Sequence, residues 1–158
     1  METARITELK KELQVKDQKT LLEICLRLAR FKKDNKELLT YLIFEADNEE
    51  RYINGIKEDL EEKMKTVAQP SIYFTKKALR KVLRQLDKFI RYSGNKETEA
   101  ELRIFFLEQI KVQQIPIHRS RVLSNVYRSQ VKKVQTAISK LHEDLQYDFE
   151  EQLQHLQI

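Results

Sequence analysis

The sequence predicts an all-α fold, and three observations carry that prediction. Only two Gly and two Pro occur in 158 residues, too few turn formers to close β-hairpins. Leu, Lys, Glu, Arg and Gln, all good helix formers, dominate the remainder. Apolar positions recur at helical spacing, and 41% apolar against 35% charged residues suits amphipathic helices rather than a disordered chain. The expected architecture is six to seven helices in a compact bundle or short α-α superhelix, ending in a long C-terminal helix. One domain over 1–158 fits a length able to bury one sizeable core.

Taken in chain order, a short helix is expected near 3–13 and a second near 18–33. Asp34 with Glu37 and Asp47 with Glu50 place an acceptor at N-cap and a carboxylate three residues on, predicting starts for helices 35–46 and 48–67. "YINGIK" contains Asn54-Gly55, a hairpin signal, but its charged helix-forming flanks predict a helix with a weak point at Gly55. Pro70 before Ser71 predicts a boundary ahead of helix 72–92. In "SGN", Gly94 supplies a stop and Asn95 a cap for helix 96–112. Pro116 separates that helix from a final one over 119–155.

Helices 35–46 and 96–112 are apolar around most of their girth near "LLTYLIF" and "RIFFL", which predicts central burial. Helix 18–33, with Leu21, Leu22, Cys25, Leu28 and Ala29 on a broad arc, is expected to complete the core. In the last helix, Tyr127, Val131, Val134, Ile138, Leu141 and Leu145 form a four-three seam. Through Leu145 the seam is expected to cover the protein's own core; the tail leaves homodimerisation through this helix as an alternative. Leu21, Ile24, Cys25, Leu28 and Phe31 match Leu79, Val82, Leu83, Leu86 and Phe89 at a constant offset of 58. Two readings stand: a duplication with units 17–69 and 71–155, or the general likeness of amphipathic helix pairs.

Positive charge is concentrated. Residues 70–158 hold 16 Lys and Arg against 10 acids, whereas 1–69 hold 14 against 15. Between 76 and 91 seven cations meet one acid, Asp87, and at 100° per residue the cations share an arc of about 140° opposite the apolar side. From Gln109 to His142 there are seven further cations and no acid. The candidate partner- or polyanion-binding residues are Lys77, Arg80, Lys81, Arg84, Lys88, Arg91, Arg119 and Arg121. Such a row can neutralise phosphates and release counterions; charge runs on helices are also commonly solvated faces answered by acids nearby, here those of 45–62.

No catalytic, cofactor or metal constellation is legible. His142 and His155 point about 140° apart on a helix, "HEDL" lacks the second histidine of a zinc-protease helix, and no Gly-rich phosphate loop occurs. Cys25, the sole cysteine, excludes an intramolecular disulfide and is expected to be a buried small hydrophobe. "METARITELKKEL" lacks the apolar run of a signal peptide, and "LLTYLIF" falls far short of the roughly 20 residues of a membrane span. A cytoplasmic protein without membrane insertion is expected.

The succession "LLEICLRLARFKKDNKELLTYLIF", "IKEDLEEKMKTVAQP" and "KKALRKVLRQLDKFIRYSGNKETEAELRIFFLEQ" resembles the layout of a bacterial all-helical family with no assigned function. The resemblance covers residues 9–145 and implies an all-α fold in a bacterial cytosol, with no active site to carry over. The expected function is a non-enzymatic helical scaffold or adaptor that binds another protein; the alternative is a phosphate-backbone (DNA or RNA) binder using the basic helical face.

Overall fold

The computed structural model describes residues 1–156. All regular structure among them is helical, and the chain divides into two compact units, Met1–Phe44 and the part from Glu45 onward.

The first unit contains α1 (Ile6–Gln14), α2 (Gln18–Phe31) and α3 (Lys33–Thr40). Asp17 caps α2, accepting from the Thr20 amide at 3.2 Å and from the Thr20 hydroxyl. These two bonds hold its carboxyl below the usual range. At Lys32 the backbone extends (φ −141°, ψ 143°), and Asn35 Nδ2 donates to the Leu28 carbonyl at 2.9 Å, fastening the start of α3 to the end of α2. The predicted cap at Asp34 lies inside the first turn of α3. After Thr40 the helix widens into a π-helical turn, Tyr41–Glu45. None of α1, α2 or α3 has a buried residue. This corrects the expected core: 18–33 buries no residue, 35–46 buries only Tyr41, and Leu42, Ile43 and Phe44 are more than half exposed. Cys25 is exposed as well, not buried.

The second unit contains α4 (Glu49–Met64), α5 (Ile72–Ser93), α6 (Lys96–Val112), α7 (Arg121–Ile138) and α8 (Glu143–Gln154), with a short 3₁₀ turn at Ile117–Arg119. Helix α6 is its axis, packing against α4, α5, α7 and α8. Consistent with apolar residues on most sides, it buries Leu102, Ile104, Phe106, Leu107 and Ile110 to 2% exposure or less. Its ends are those predicted: Gly94 stops α5 in the left-handed region (φ 67°), and Asn95 accepts from the Glu97 amide at 2.9 Å. At the far end Gln114 takes φ 49°, so that the Ile115 amide reaches the Ile110 carbonyl at 3.0 Å, a Schellman closure on a residue other than glycine.

Helix α4 runs unbroken through Gly55 and is capped by Asn48, one residue beyond the predicted Asp47, which accepts from the Arg51 amide at 3.0 Å. Glu49, in its first turn, accepts from the Ser93 hydroxyl and, at 2.6 Å, from the Thr98 hydroxyl. One carboxylate thus joins the start of α4, the end of α5 and the start of α6. Tyr52 donates to the Phe89 carbonyl at 3.0 Å, and Lys57 pairs with Glu101 at 2.6 Å.

The long C-terminal helix is corrected to two. Helix α7 stops at Ile138, the Ser139 hydroxyl turns back onto the Thr136 carbonyl at 3.0 Å, and α8 restarts behind His142 with Glu143 and Asp144 in its first turn. The seam covers the unit's own core: Tyr127, Val134 and Ile138 are buried and Val131, Leu141 and Leu145 pack against them. Phe149, Leu153 and Leu156 join the same core, so these apolar positions of the tail pack within the unit. Tyr127 donates to the Leu156 carbonyl at 2.5 Å, tying down the end of α8, and burial raises the pKa of its hydroxyl.

Candidate functional site

Within the second unit, the C-terminal half of α5, the N-terminal half of α6 and α7 border an open cleft of about 710 Å³. Arg84, Asp87 and Arg91 line it from α5, Lys96, Glu99 and Arg103 from α6, and Lys133 from α7. The helical repeat explains each set: 84, 87 and 91 recur at three and four residues, as do 96, 99 and 103, so each trio presents one face.

Arg103 forms the floor at 4% exposure. Its Nε donates to Glu99 at 3.1 Å and its Nη1 donates to Gln130 Oε1 at 2.6 Å, a buried polar pair linking α6 to α7. The same Nη1 lies 2.8 Å from Asp87 Oδ1, and Lys133 Nζ lies 3.5 Å from that oxygen. That oxygen is buried and accepts no hydrogen bond, so these contacts act through charge. Lys96 pairs with Glu99 at 2.6 Å. Burial alone raises the Glu99 carboxyl, but the hydrogen bonds and charges of Lys96 and Arg103 outweigh it and hold it below the ordinary 4.5.

Of the eight predicted cations, the fold brings Arg84 and Arg91 into this cleft; Lys77, Arg80, Lys81, Lys88, Arg119 and Arg121 do not line it. Lys77, Arg80, Lys81, Arg84, Arg91, Arg119 and Arg121 are exposed and Lys88 is half-buried. Among the described residues, those seven exposed cations make no salt bridge. Of the acids of 45–62, Glu45 pairs with Arg51, Asp59 with Lys63 and Glu62 with Lys65, and Glu49 accepts from two hydroxyls. Sequence reasoning missed Lys96, Arg103 and Lys133 as members of one cluster. Arg103, a lone cation inside "ELRIFFLEQI", carried the available signal, because an arginine on an all-round apolar helix must be buried with partners.

The first unit has a hollow of its own, about 590 Å³, lined by Leu26, Ala29, Leu39, Ile43 and Phe44 with basic residues at its margin, among them Arg30 and Lys36. Twelve of the sixteen large exposed hydrophobic side chains among the described residues belong to 1–44.

Comparison with protein-family models, curated proteins and solved structures finds no match. Among the described residues no group of three His, Cys, Asp or Glu is placed to hold a metal ion, and no helix is long and apolar enough to cross a membrane. His142 lies 3.4 Å from Asp144 on the open surface, and His118 and His155 are exposed.

Proposed function

We propose that the protein is a non-enzymatic helical adaptor whose first unit docks onto another protein. The observation that carries this reading is the apolar surface of residues 1–44, where Leu22, Leu26, Leu28, Phe31, Leu42, Ile43 and Phe44 are 40–78% exposed. Apolar surface clustered to this degree marks interaction sites on soluble proteins, and helices with apolar stripes dock by laying them into a partner's groove. The test replaces Leu26, Ile43 and Phe44 together by Gln. Immobilised wild-type chain should retain a stoichiometric partner from a lysate of the source cells that the triple variant does not. Identical retained proteins for both would overturn the reading.

A second reading, phosphate-backbone binding through the basic face, is favoured by the seven exposed cations without a carboxylate partner. Its test titrates duplex DNA and RNA over a range of salt. Reversing Lys77, Arg80 and Lys81 to Glu removes three contacts and should flatten the log-log salt slope by up to about 2.7 units for duplex DNA. No binding at low salt ends this reading.

A further inference from the structure

The cleft between α5, α6 and α7 carries more positive charge than its own carboxylates answer. Glu99 and Asp87 are shared among Lys96, Arg103 and Lys133, which leaves one positive charge over. Arg84 and Arg91 line the same wall with no salt bridge among the described residues, which brings the excess to three. Cations gathered in a concavity repel one another more than on an open face, because low-dielectric walls focus their field. A fold that arranges them so gains when a multivalent anion enters.

Three features narrow the ligand. The floor guanidinium is held by Glu99, Gln130 and Asp87 before any ligand arrives, so its positive charge is already fixed in place beneath the cleft. Asn95, the cap of α6, directly follows Gly94 on the cleft wall, and the helix dipole adds partial positive charge at that end. Among the described residues no aromatic side chain lines the cleft and Ile90 is its one large apolar side chain, so none of them stacks on a nucleobase.

We propose that this cleft binds a compact polyphosphate group, a di- or triphosphate either free or at the end of a larger ester, with Arg84 and Arg91 closing on it and Arg103 beneath. The proposal is independent of partner docking by residues 1–44 and of the extended cationic row.

The test is calorimetric titration of the full chain with pyrophosphate, triphosphate and ATP, at low and at physiological ionic strength. Saturable one-to-one binding is expected. It should weaken about tenfold or more in the Arg84→Gln, Arg91→Gln double variant, since each loses a charge-assisted hydrogen bond, and change less than about twofold in the Lys77→Gln, Arg80→Gln variant, whose sites lie outside the cleft. Equal affinity for triphosphate and ATP would place recognition in the phosphates; binding of ATP alone would overturn the ligand class. Absence of saturable heat with any of the three, or equal weakening in both variants, would overturn the site. Duplex DNA binding without triphosphate binding would reject the cleft and leave the basic-face reading standing. A melting temperature raised by triphosphate in wild type and not in the Arg84, Arg91 variant serves as a second readout, both variants being exposed-surface changes that leave the core intact.

Discussion

Gln114 and Glu99 are two residues whose surroundings set measurable behaviour. Gln114 closes α6 at φ 49°, where a Cβ is disfavoured by about 1–2 kcal/mol. Gln114→Gly should therefore stabilise the chain, by about 0.5–1 kcal/mol once the greater freedom of glycine in the unfolded state is deducted, read as a higher urea midpoint at constant slope. Glu99 titrates below 4.5 in the folded chain because Lys96 and Arg103 prefer its charged form. Its contribution is complete above 4.5 and is lost as pH falls through the depressed folded value. Melting temperature against pH should fall more gently on the acid side in Glu99→Gln than in wild type, and superimposable acid limbs would exclude the ion cluster as a contributor.

Leu28 and Leu86 occupy matching positions in the offset alignment, yet Leu86 is 2% exposed and Leu28 55%. Leu86→Ala should cost about 2–5 kcal/mol through transfer and cavity terms, whereas Leu28→Ala should stay within about 0.5 kcal/mol. Denaturant unfolding of the two variants checks both values. An amphipathic pattern says that a stripe is apolar and is silent on what covers it, which is why helices 18–33 and 35–46 read as core. Helix ends were legible where chemistry is local: Gly94, Asn95, Pro70 and Pro116 delimit elements close to where they are observed. The break between α7 and α8 was not, because Ser139–His142 contains neither Gly nor Pro and rests on a hydroxyl back-bond and an acidic first turn.

At the scale of the molecule, the packed hydrophobic cluster of the described residues runs from Ile53 to Leu156, and Tyr41 is a buried side chain outside it. A fragment beginning at Glu45 should keep one cooperative unfolding transition, its stability within about 1 kcal/mol of the full chain. The isolated segment 1–44 should show little helix by circular dichroism, since its helices of 9, 14 and 8 residues fall at or below the length at which helices persist alone in water. The cleft marks the limit of reading along the chain. Arg84 and Arg91 are visible as a spacing, but their neighbours Arg103 and Lys133 arrive from α6 and α7 only when those helices pack.

Glu49 stands outside the cleft and still governs its mouth. By gripping Ser93 and Thr98 together it works as a bolt behind the Gly94 bend, so an arriving anion meets a frame that is already set and pays little to order it. Glu49→Ala should slacken that bend, speeding triphosphate escape in stopped-flow chase experiments while every arginine and lysine of the wall stays in place.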